Sequence, residues 1–141
     1  MFFEIKLQFH LDLCLTKLNK MNVAVIGSRN FTDPLLLESA LNGIKSQIGF
    51  VITGGAKGAD ALAEKWALEN NIPTVVIKPD WKTYGKAAGI LRNKQIIEAC
   101  DCCFAFWDQK SKGTLFSINY CNKLLKPIKV LNFIPAVTEL K

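Results

Sequence analysis

The sequence has a single histidine and no paired C-x-x-C motifs, so it lacks the side-chain pattern from which most zinc sites are built. Its five cysteines are odd in number, and three of them, Cys100, Cys102 and Cys103, crowd together at the edge of an apolar segment. This pattern argues against a disulfide framework. We therefore predict reduced, mostly buried thiols in a cytoplasmic protein, with no bound metal and no cofactor identified.

Long hydrophobic runs and dense blocks of one charge are also missing. No apolar stretch reaches the roughly 18 residues of a membrane-spanning helix, so we do not expect a membrane as a partner. The net charge of +6 predicts an anionic partner, but the 18 lysines and arginines are scattered along the chain. This scatter favours a small phosphorylated ligand or a solvated surface, and it argues against a nucleic acid as a partner.

The first 20 residues differ from the rest of the chain. Apolar and polar residues alternate from Phe3 to Leu15, which is typical of a β-strand, and the charges among them do not suit a signal peptide. The alternation leaves open whether residues 1–20 form an added edge strand, an arm exchanged in a homo-oligomer or a dispensable extension. Residues 21–141 are long enough and apolar enough for one domain with its own core.

From residue 21 onwards, short apolar runs alternate with segments of helical character. Continuous apolar strands between helices are buried on both faces, which predicts a three-layer, Rossmann-like α/β fold with a parallel sheet of about five strands. Asp33 and Pro34 give the first helix its N-cap and its first residue. Strands are expected at 23–26, 50–53, 74–77, 102–106 and 128–131, helices at 34–47, 60–70, 88–99 and 114–124, and a polar loop at 78–86.

The glycine-rich turn after the second predicted strand is the strongest candidate site. Residues 53–60 read T-G-G-A-K-G-A-D, without the spacing of a Walker loop or of the dinucleotide fingerprint. Its glycines let the backbone approach a ligand, and the N–H groups at the following helix start attract a phosphate, to which Lys57 adds a positive charge. A purely steric need for glycine in a tight turn is the alternative.

Three further polar clusters should meet at the same edge of the sheet, because right-handed crossovers place the strand ends together. Each cluster has a structural alternative, in which its polar residues cap helices or face solvent and its tryptophans pack. The convergence of all of them favours a ligand-binding edge. The clusters are Gly27-Ser28-Arg29, then Trp107-Asp108 with Lys110-Ser111-Lys112-Gly113-Thr114, and then Arg92-Asn93 beside Asp80-Trp81.

These motifs together resemble the YspA-type, cpYpsA-related branch of the SLOG superfamily, over nearly all of residues 21–130. The resemblance implies a Rossmann-like fold and a nucleotide-derived ligand, but it does not by itself imply a reaction. The motifs that carry it are V-I-G-S-R at 25–29, T-G-G-A-K-G-A-D at 53–60, D-W at 80–81, Y-G-K-A-A-G at 84–89, R-N at 92–93, F-W-D at 106–108 and S-K-G-T at 111–114.

The related phosphoribohydrolases carry a G-G-x-G-T-x-x-E motif, whose glutamate assists cleavage of an N-glycosidic bond. Those enzymes also carry an arginine on the equivalent helix, which this sequence matches with Arg92. It keeps the glycine and threonine of the motif at Gly113 and Thr114, but Ser117 stands where the glutamate is expected. A serine cannot supply a carboxylate at neutral pH. Standard phosphoribohydrolase activity is therefore not expected, and the sequence leaves open whether the protein is an enzyme.

The expected function is the binding of a nucleotide-derived small molecule, such as an ADP-ribose-like compound, a nucleotide sugar or a nucleoside phosphate, by a sensor or a sequestering protein. The alternative is a hydrolase of an N-glycosidic or phosphoester bond of a nucleotide, with Asp60, Asp80, Asp108 and Arg92 as candidate catalytic residues. The expected ligand-binding residues are Gly27, Ser28, Arg29, Thr53, Gly54, Gly55, Ala56, Lys57, Gly58, Asp60, Trp81, Arg92, Asn93, Trp107, Lys112, Gly113 and Thr114.

Overall fold

The computed structural model describes residues 20–136, which form a parallel β-sheet with helices on both of its faces. The strands are β1 (Met21–Gly27), β2 (Ile48–Thr53), β3 (Thr74–Val76), β4 (Cys102–Trp107) and β5 (Ile128–Asn132). The α-helices are α1 (Pro34–Asn42), α2 (Ala59–Glu69), α3 (Trp81–Tyr84), α4 (Ala88–Ala99) and α5 (Lys112–Lys123), and short 3-10 helices span Lys45–Gln47 and Gly85–Ala87.

All neighbouring strands run parallel, in the order β3-β2-β1-β4-β5. At the centre of the sheet, Ala24 of β1 pairs with Ile52 of β2 on one side and with Cys103 of β4 on the other. The chain builds from β1 to β3 in one direction and then returns to place β4 on the opposite side of β1. The strand order therefore reverses between β1 and β4, where open α/β sheets bind their ligands.

The residues of β1 point alternately to two hydrophobic cores, as the pleat of a strand requires. Val23 and Val25 pack with apolar residues of α1 and α2, whereas Ala24 and Ile26 pack with apolar residues of α4 and α5. Each face of the sheet is thus covered by its own pair of helices. The predicted three-layer, Rossmann-like α/β fold with a five-stranded parallel sheet is confirmed.

The ends of two helices differ from the sequence prediction. Asp33 caps α1 as predicted, by accepting a hydrogen bond from the backbone N–H of Leu36 at 3.1 Å, but the helix ends at Asn42 and a 3-10 helix leads into β2. Helix α5 begins at Lys112, two residues earlier than expected, because the Ser111 hydroxyl accepts from the N–H of Thr114 and caps it.

Strand β3 departs from the prediction that the strands are buried on both faces. Its three residues are exposed, with Val75 and Val76 keeping 40% and 37% of their surface in solvent. β3 is an edge strand with β2 as its neighbour, and the chain after it forms α3. The predicted polar loop at 78–86 is therefore largely helical, since it holds α3 and a 3-10 helix.

The four described cysteines, Cys100, Cys102, Cys103 and Cys121, are buried as free thiols, and burial raises the pKa of Cys100 to about 12. Within residues 20–136, no helix has the length and apolar character needed to cross a membrane. The alternating segment at 3–15 lies outside the described residues, so a boundary at residue 20 stays a prediction.

Candidate functional site

A cleft of about 520 Å³ opens where the strand order reverses, between the carboxyl ends of β1 and β4. We call it the switch-point cleft. One wall is the turn after β1, the opposite wall is the start of α5, and α2 and α4 contribute the remaining sides. Its lining consists of Ile26, Gly27, Ser28, Arg29, Asn30, Ala56, Asp60, Arg92, Asn93, Ile96, Asp108, Ser111, Gly113, Thr114 and Ser117.

The turn after β1 builds one wall of this cleft. Ser28 is buried, its N–H donates to the carbonyl of Phe106 at 2.9 Å, and its hydroxyl accepts from the N–H of Asp108 at 3.1 Å. A Cβ on Gly27 would lie 2.5 Å from the Phe106 carbonyl oxygen, so glycine is needed here for close packing of β1. Gly27 and Ser28 therefore join β1 to β4, while the exposed Arg29 is left at the rim of the cleft.

The glycine-rich turn, residues 54–58, already holds an anionic side chain. One carboxylate oxygen of Asp60 accepts from the N–H groups of Gly54 at 2.9 Å and Ala56 at 3.2 Å. Burial raises the pKa of Asp60 to about 6, against the two backbone hydrogen bonds and nearby Arg92, which favour the charged form. The position predicted for a ligand phosphate thus carries a carboxylate of the chain itself.

Arg92 of α4 packs against the same turn. Its guanidinium donates to the carbonyl of Gly54 at 2.5 Å and to the side-chain oxygen of Asn93 at 2.9 Å. A Cβ on Gly54 would lie 2.5 Å from that guanidinium, so the glycine makes room for the arginine. Burial lowers the pKa of Arg92, the charge of Asp60 opposes this shift, and Arg29 adds to it. Arg29 and Arg92 are therefore close enough for their charges to interact, and both line the cleft.

The other glycines of the turn and the neighbouring Thr53 have structural roles. Gly55 and Gly58 have φ of +74° and +79°, which side chains rarely adopt, and a Cβ on Gly58 would lie 2.7 Å from the carbonyl oxygen of Arg29. Thr53 is buried and donates its hydroxyl proton to the carboxylate of Glu64 at 2.6 Å. Lys57 is exposed to solvent beside the turn.

The turn after β4 contributes to the opposite wall of the cleft, together with the start of α5. The carboxylate of Asp108 accepts from the N–H groups of Lys110 at 2.9 Å and Ser111 at 2.8 Å, and from the Asn30 amide at 3.2 Å. Burial opposes its ionisation, but hydrogen bonds from Ser111, Lys110, Ser28 and Asn30 outweigh this and lower the pKa of Asp108. Asp108 is thus an anionic support of the turn.

The tryptophan of this turn packs and does not face the cleft. Trp107 is partly buried against the core formed with α4 and α5, and its indole N–H donates to the carbonyl of Ser111 at 3.1 Å. Thr114 and Ser117 are buried on the first turns of α5, where the hydroxyl of Ser117 donates to the carbonyl of Gly113 at 3.3 Å. They supply small polar groups to the floor of the cleft.

A second cleft, of about 480 Å³, shares Arg92 with the first. We call it the side cleft, and it is lined by Lys78, Asp80, Tyr84, Ala88, Leu91, Arg92, Lys94, Gln95 and Glu98. The carboxylate of Asp80 caps α3 by accepting from the N–H of Thr83 at 3.1 Å. Trp81 and Tyr84 on α3 keep 54% and 53% of their surface exposed. Sequence reasoning missed Lys78, Tyr84 and Lys94, although lysines and aromatics interleave at 78–86.

The structure brings together about half of the expected site residues and places the others elsewhere. Those that line the switch-point cleft are Gly27, Ser28, Arg29, Ala56, Asp60, Arg92, Asn93, Asp108, Gly113 and Thr114. Expected residues placed in the glycine-rich turn, on α3, in the core or at the exposed start of α5 are Thr53, Gly54, Gly55, Lys57, Gly58, Asp80, Trp81, Trp107 and Lys112.

Comparison with known proteins gives a family and a fold. The model of the YspA, cpYpsA-related SLOG family matches residues 21–84. The Gene 61 protein of Mycobacterium phage D29 is 35% identical over 120 residues, covering 79% of this chain and 94% of that protein. The match to the family model, together with a relative of this identity and coverage, shows that the chain belongs to the YspA, cpYpsA-related SLOG family.

Two solved structures of DNA processing protein A share the fold. The protein of Streptococcus pneumoniae superposes with a TM-score of 0.66 at 22% identity, over 91% of this chain and 53% of that one. The protein of Helicobacter pylori, described for its single-stranded DNA binding mode, gives 0.63 at 24% identity, over 88% and 71%. The chain therefore spans about half the length of the first of these proteins.

These neighbours contradict two expectations drawn from the sequence. They are DNA processing proteins, one of them described as binding single-stranded DNA, so the expected nucleotide-derived small molecule is wrong as the ligand, and so is the exclusion of nucleic acid. They give no support to the alternative hydrolase either. The physical reason is that cations scattered in sequence are gathered by the fold, with Arg29, Arg92, Lys78 and Lys94 lining two adjoining clefts.

Proposed function

We propose that this member of the SLOG family binds single-stranded DNA, with the sugar–phosphate backbone running from the switch-point cleft past Arg92 into the side cleft. The observation that carries the proposal is that Arg92 lines both clefts, so the two clefts adjoin. A mononucleotide needs one cleft, whereas a strand of several nucleotides needs adjoining ones. The likeness to proteins that act on DNA supports the same assignment.

The charges along this path suit a phosphodiester backbone. Arg29 is exposed at the rim of the switch-point cleft, and Lys78 and Lys94 line the side cleft. Lys82 and Lys86 are exposed on the segment that borders the side cleft. Lysine and arginine side chains that neutralise phosphates release counterions from the strand, which provides affinity without regard to base sequence.

Exposed aromatic rings beside the side cleft suit unpaired bases. Trp81 and Tyr84 leave about half of their surface in water, although burial of such rings is strongly favourable. The ring of Trp81 lies close to Gly89 of α4, since a Cβ there would be 3.6 Å from it. Proteins that bind single strands pair a basic groove with aromatic side chains on which bases stack. A duplex keeps its bases stacked inside and cannot use these rings.

Fluorescence anisotropy with a labelled oligothymidylate of about 20 nucleotides tests the proposal, with a duplex of the same length for comparison. We expect salt-dependent binding that favours the single strand. Arg29→Ala should weaken it about tenfold and reduce the slope of log affinity against log salt by about 0.7 to 1, as the loss of one phosphate contact does. No binding of the single strand at low salt would contradict the proposal.

Lys123→Ala is the matched control for Arg29→Ala. It removes one positive charge from an exposed position at the far end of α5, about 16 Å along the helix from Lys112 by the helical rise. Binding should stay within a factor of two of the wild type. Equal losses in the two variants would show that net charge alone drives binding, without the path along the clefts.

Two further statements stay predictions alongside this proposal. A cytoplasmic location agrees with buried free thiols among the described cysteines, since such thiols persist in reducing compartments. An exchanged arm in a homo-oligomer depends on residues 1–20, of which 1–19 lie outside the described part of the chain.

A further inference from the structure

The glycine-rich turn has the backbone form of a phosphate loop, but two of its N–H groups are already engaged. β2 enters the turn, two of its three glycines have positive φ, and α2 leaves it. The N–H groups of Gly54 and Ala56 converge on one oxygen of the Asp60 carboxylate. An oxyanion of the chain itself therefore occupies the place where such loops hold a phosphate oxygen.

The carboxylate also contributes to the wall of the switch-point cleft. Asp60 lines that cleft although it is only 6% exposed, and its charge interacts with that of Arg92, which lines it too. A ligand phosphate that approached Arg92 would come close to this buried negative charge. If it displaced Asp60 from the turn, the carboxylate would lose two hydrogen bonds in a buried position, which is costly.

We propose that Asp60 determines the specificity of the cleft, by excluding terminal phosphates while admitting the phosphodiesters of a strand. This inference rests on the proposed function and names the class of phosphate that the site takes. A phosphodiester carries one negative charge, whereas a phosphate monoester carries about 1.5 to 2 near neutral pH. Repulsion by a fixed carboxylate grows in proportion to the charge that it faces.

The protonation state of Asp60 controls this exclusion. The charged groups that act on its carboxyl are Arg92 from α4 and Glu64 from α2. Arg29, in the turn after β1, acts in turn on the charge of Arg92. Burial raises the pKa of Asp60 to about 6, so the group is charged at neutral pH and becomes neutral in mild acid. A dianion nearby raises this pKa further, so binding of a dianion takes up a proton and strengthens as the pH falls.

The substitution Asp60→Asn tests the inference, with Glu64→Gln as the matched control. Each substitution removes one carboxylate from α2. The carboxylate of Glu64, unlike that of Asp60, accepts a hydrogen bond from the hydroxyl of Thr53 at the end of β2. Inorganic phosphate, thymidine monophosphate and oligothymidylates with a 5′-phosphate or a 5′-hydroxyl are the probes. We expect Asp60→Asn to gain at least about tenfold in affinity for phosphate and for the monophosphate, with a smaller gain for the 5′-hydroxyl strand and no gain in Glu64→Gln.

Two outcomes are distinguished by this design. A wild-type protein that binds no oligonucleotide contradicts the proposed function. A wild-type protein that binds the 5′-hydroxyl strand, beside a folded Asp60→Asn variant that gains nothing for phosphate or monophosphate, contradicts the inference alone. Circular dichroism and thermal melting establish that the variants are folded.

Sulfate binding as a function of pH gives a second test. Sulfate stays a dianion between about pH 5 and 8, so any change in its affinity over this range reports a group on the protein. We expect its affinity to rise about tenfold or more as the pH falls through about 6, the pKa of Asp60. Affinity that is flat over this range overturns the inference, as does an equal rise in a folded Asp60→Asn variant.

Discussion

The glycine-rich turn is the stronger candidate binding site in the sequence, whereas the segment of residues 78–94 is the stronger candidate in the structure. The turn is rich in glycine, as anion sites are, yet the N–H groups of Gly54 and Ala56 are engaged by Asp60. Residues 78–94 carry no motif of that strength, yet they present lysines and half-exposed aromatic rings at a cleft. Spacing of glycines therefore predicts the path of the backbone, whereas the exposure of side chains indicates what is left to bind.

This difference follows from where each segment lies on the sheet. The turn follows β2, whose neighbour β1 brings Ser28 and the following residues against it, so space there is filled by the chain. α3 follows the edge strand β3, with open solvent beside it. In this sheet, the turn beside the central strands is therefore engaged in contacts within the chain, whereas the segment after the edge strand keeps side chains exposed for a partner.

The largest effect should come from breaking the turn itself with Gly58→Val. Its φ of +79° and the contact of a new Cβ with the backbone of Ser28 and Arg29 should destabilise the protein by about 3 kcal/mol or more. Gly43→Ala is the control, because a Cβ at Gly43 meets nothing within 4 Å and φ is −64°. Urea denaturation measures both. A Gly58→Val variant as stable as Gly43→Ala would contradict the structural role of the turn.

A smaller effect, on binding and not on stability, should follow when the aromatic rings of α3 are removed. Trp81→Ala and Tyr84→Ala should each weaken single-stranded DNA binding by about 1 to 3 kcal/mol, the contribution of a stacked base. Their melting temperatures should change little, since both rings are half exposed. Leu68→Ala, at an apolar position of α2 that is 78% exposed, should leave binding unchanged. Strand affinity that is unaltered in both aromatic variants would remove this segment from the proposed path.

The sequence predicted the fold well because the fold depends on local patterns. Apolar runs between helical segments gave the five strands, and Asp33 with Pro34 gave the start of α1. The prediction that the strands are buried on both faces failed at β3, since the exposure of an edge strand depends on strand order. The sequence also predicted neither α3 nor the 3-10 helix that follows it.

The site was predicted in part, for a related reason. Chain topology placed Arg29, Arg92, Asn93 and Asp108 at one cleft, because strand ends of a parallel sheet meet at one edge. The carboxylate of Asp60 inside the turn could not be predicted, since it depends on a side-chain rotamer and on burial. The partner was misjudged because adjacency of cations in space does not require adjacency in sequence.

Nuclear magnetic resonance of the protein during titration with oligothymidylate reports on both regions in one experiment. We expect the indole N–H signal of Trp81 and the backbone signal of Arg29 to shift as the strand binds. The amide signals of Gly54 and Ala56 should shift less than these, because both N–H groups stay hydrogen-bonded to Asp60. The indole signal of buried Trp66, which is hydrogen-bonded to Asn42, should keep its position. Large shifts at Gly54 and Ala56 with none at Trp81 would contradict the proposed path.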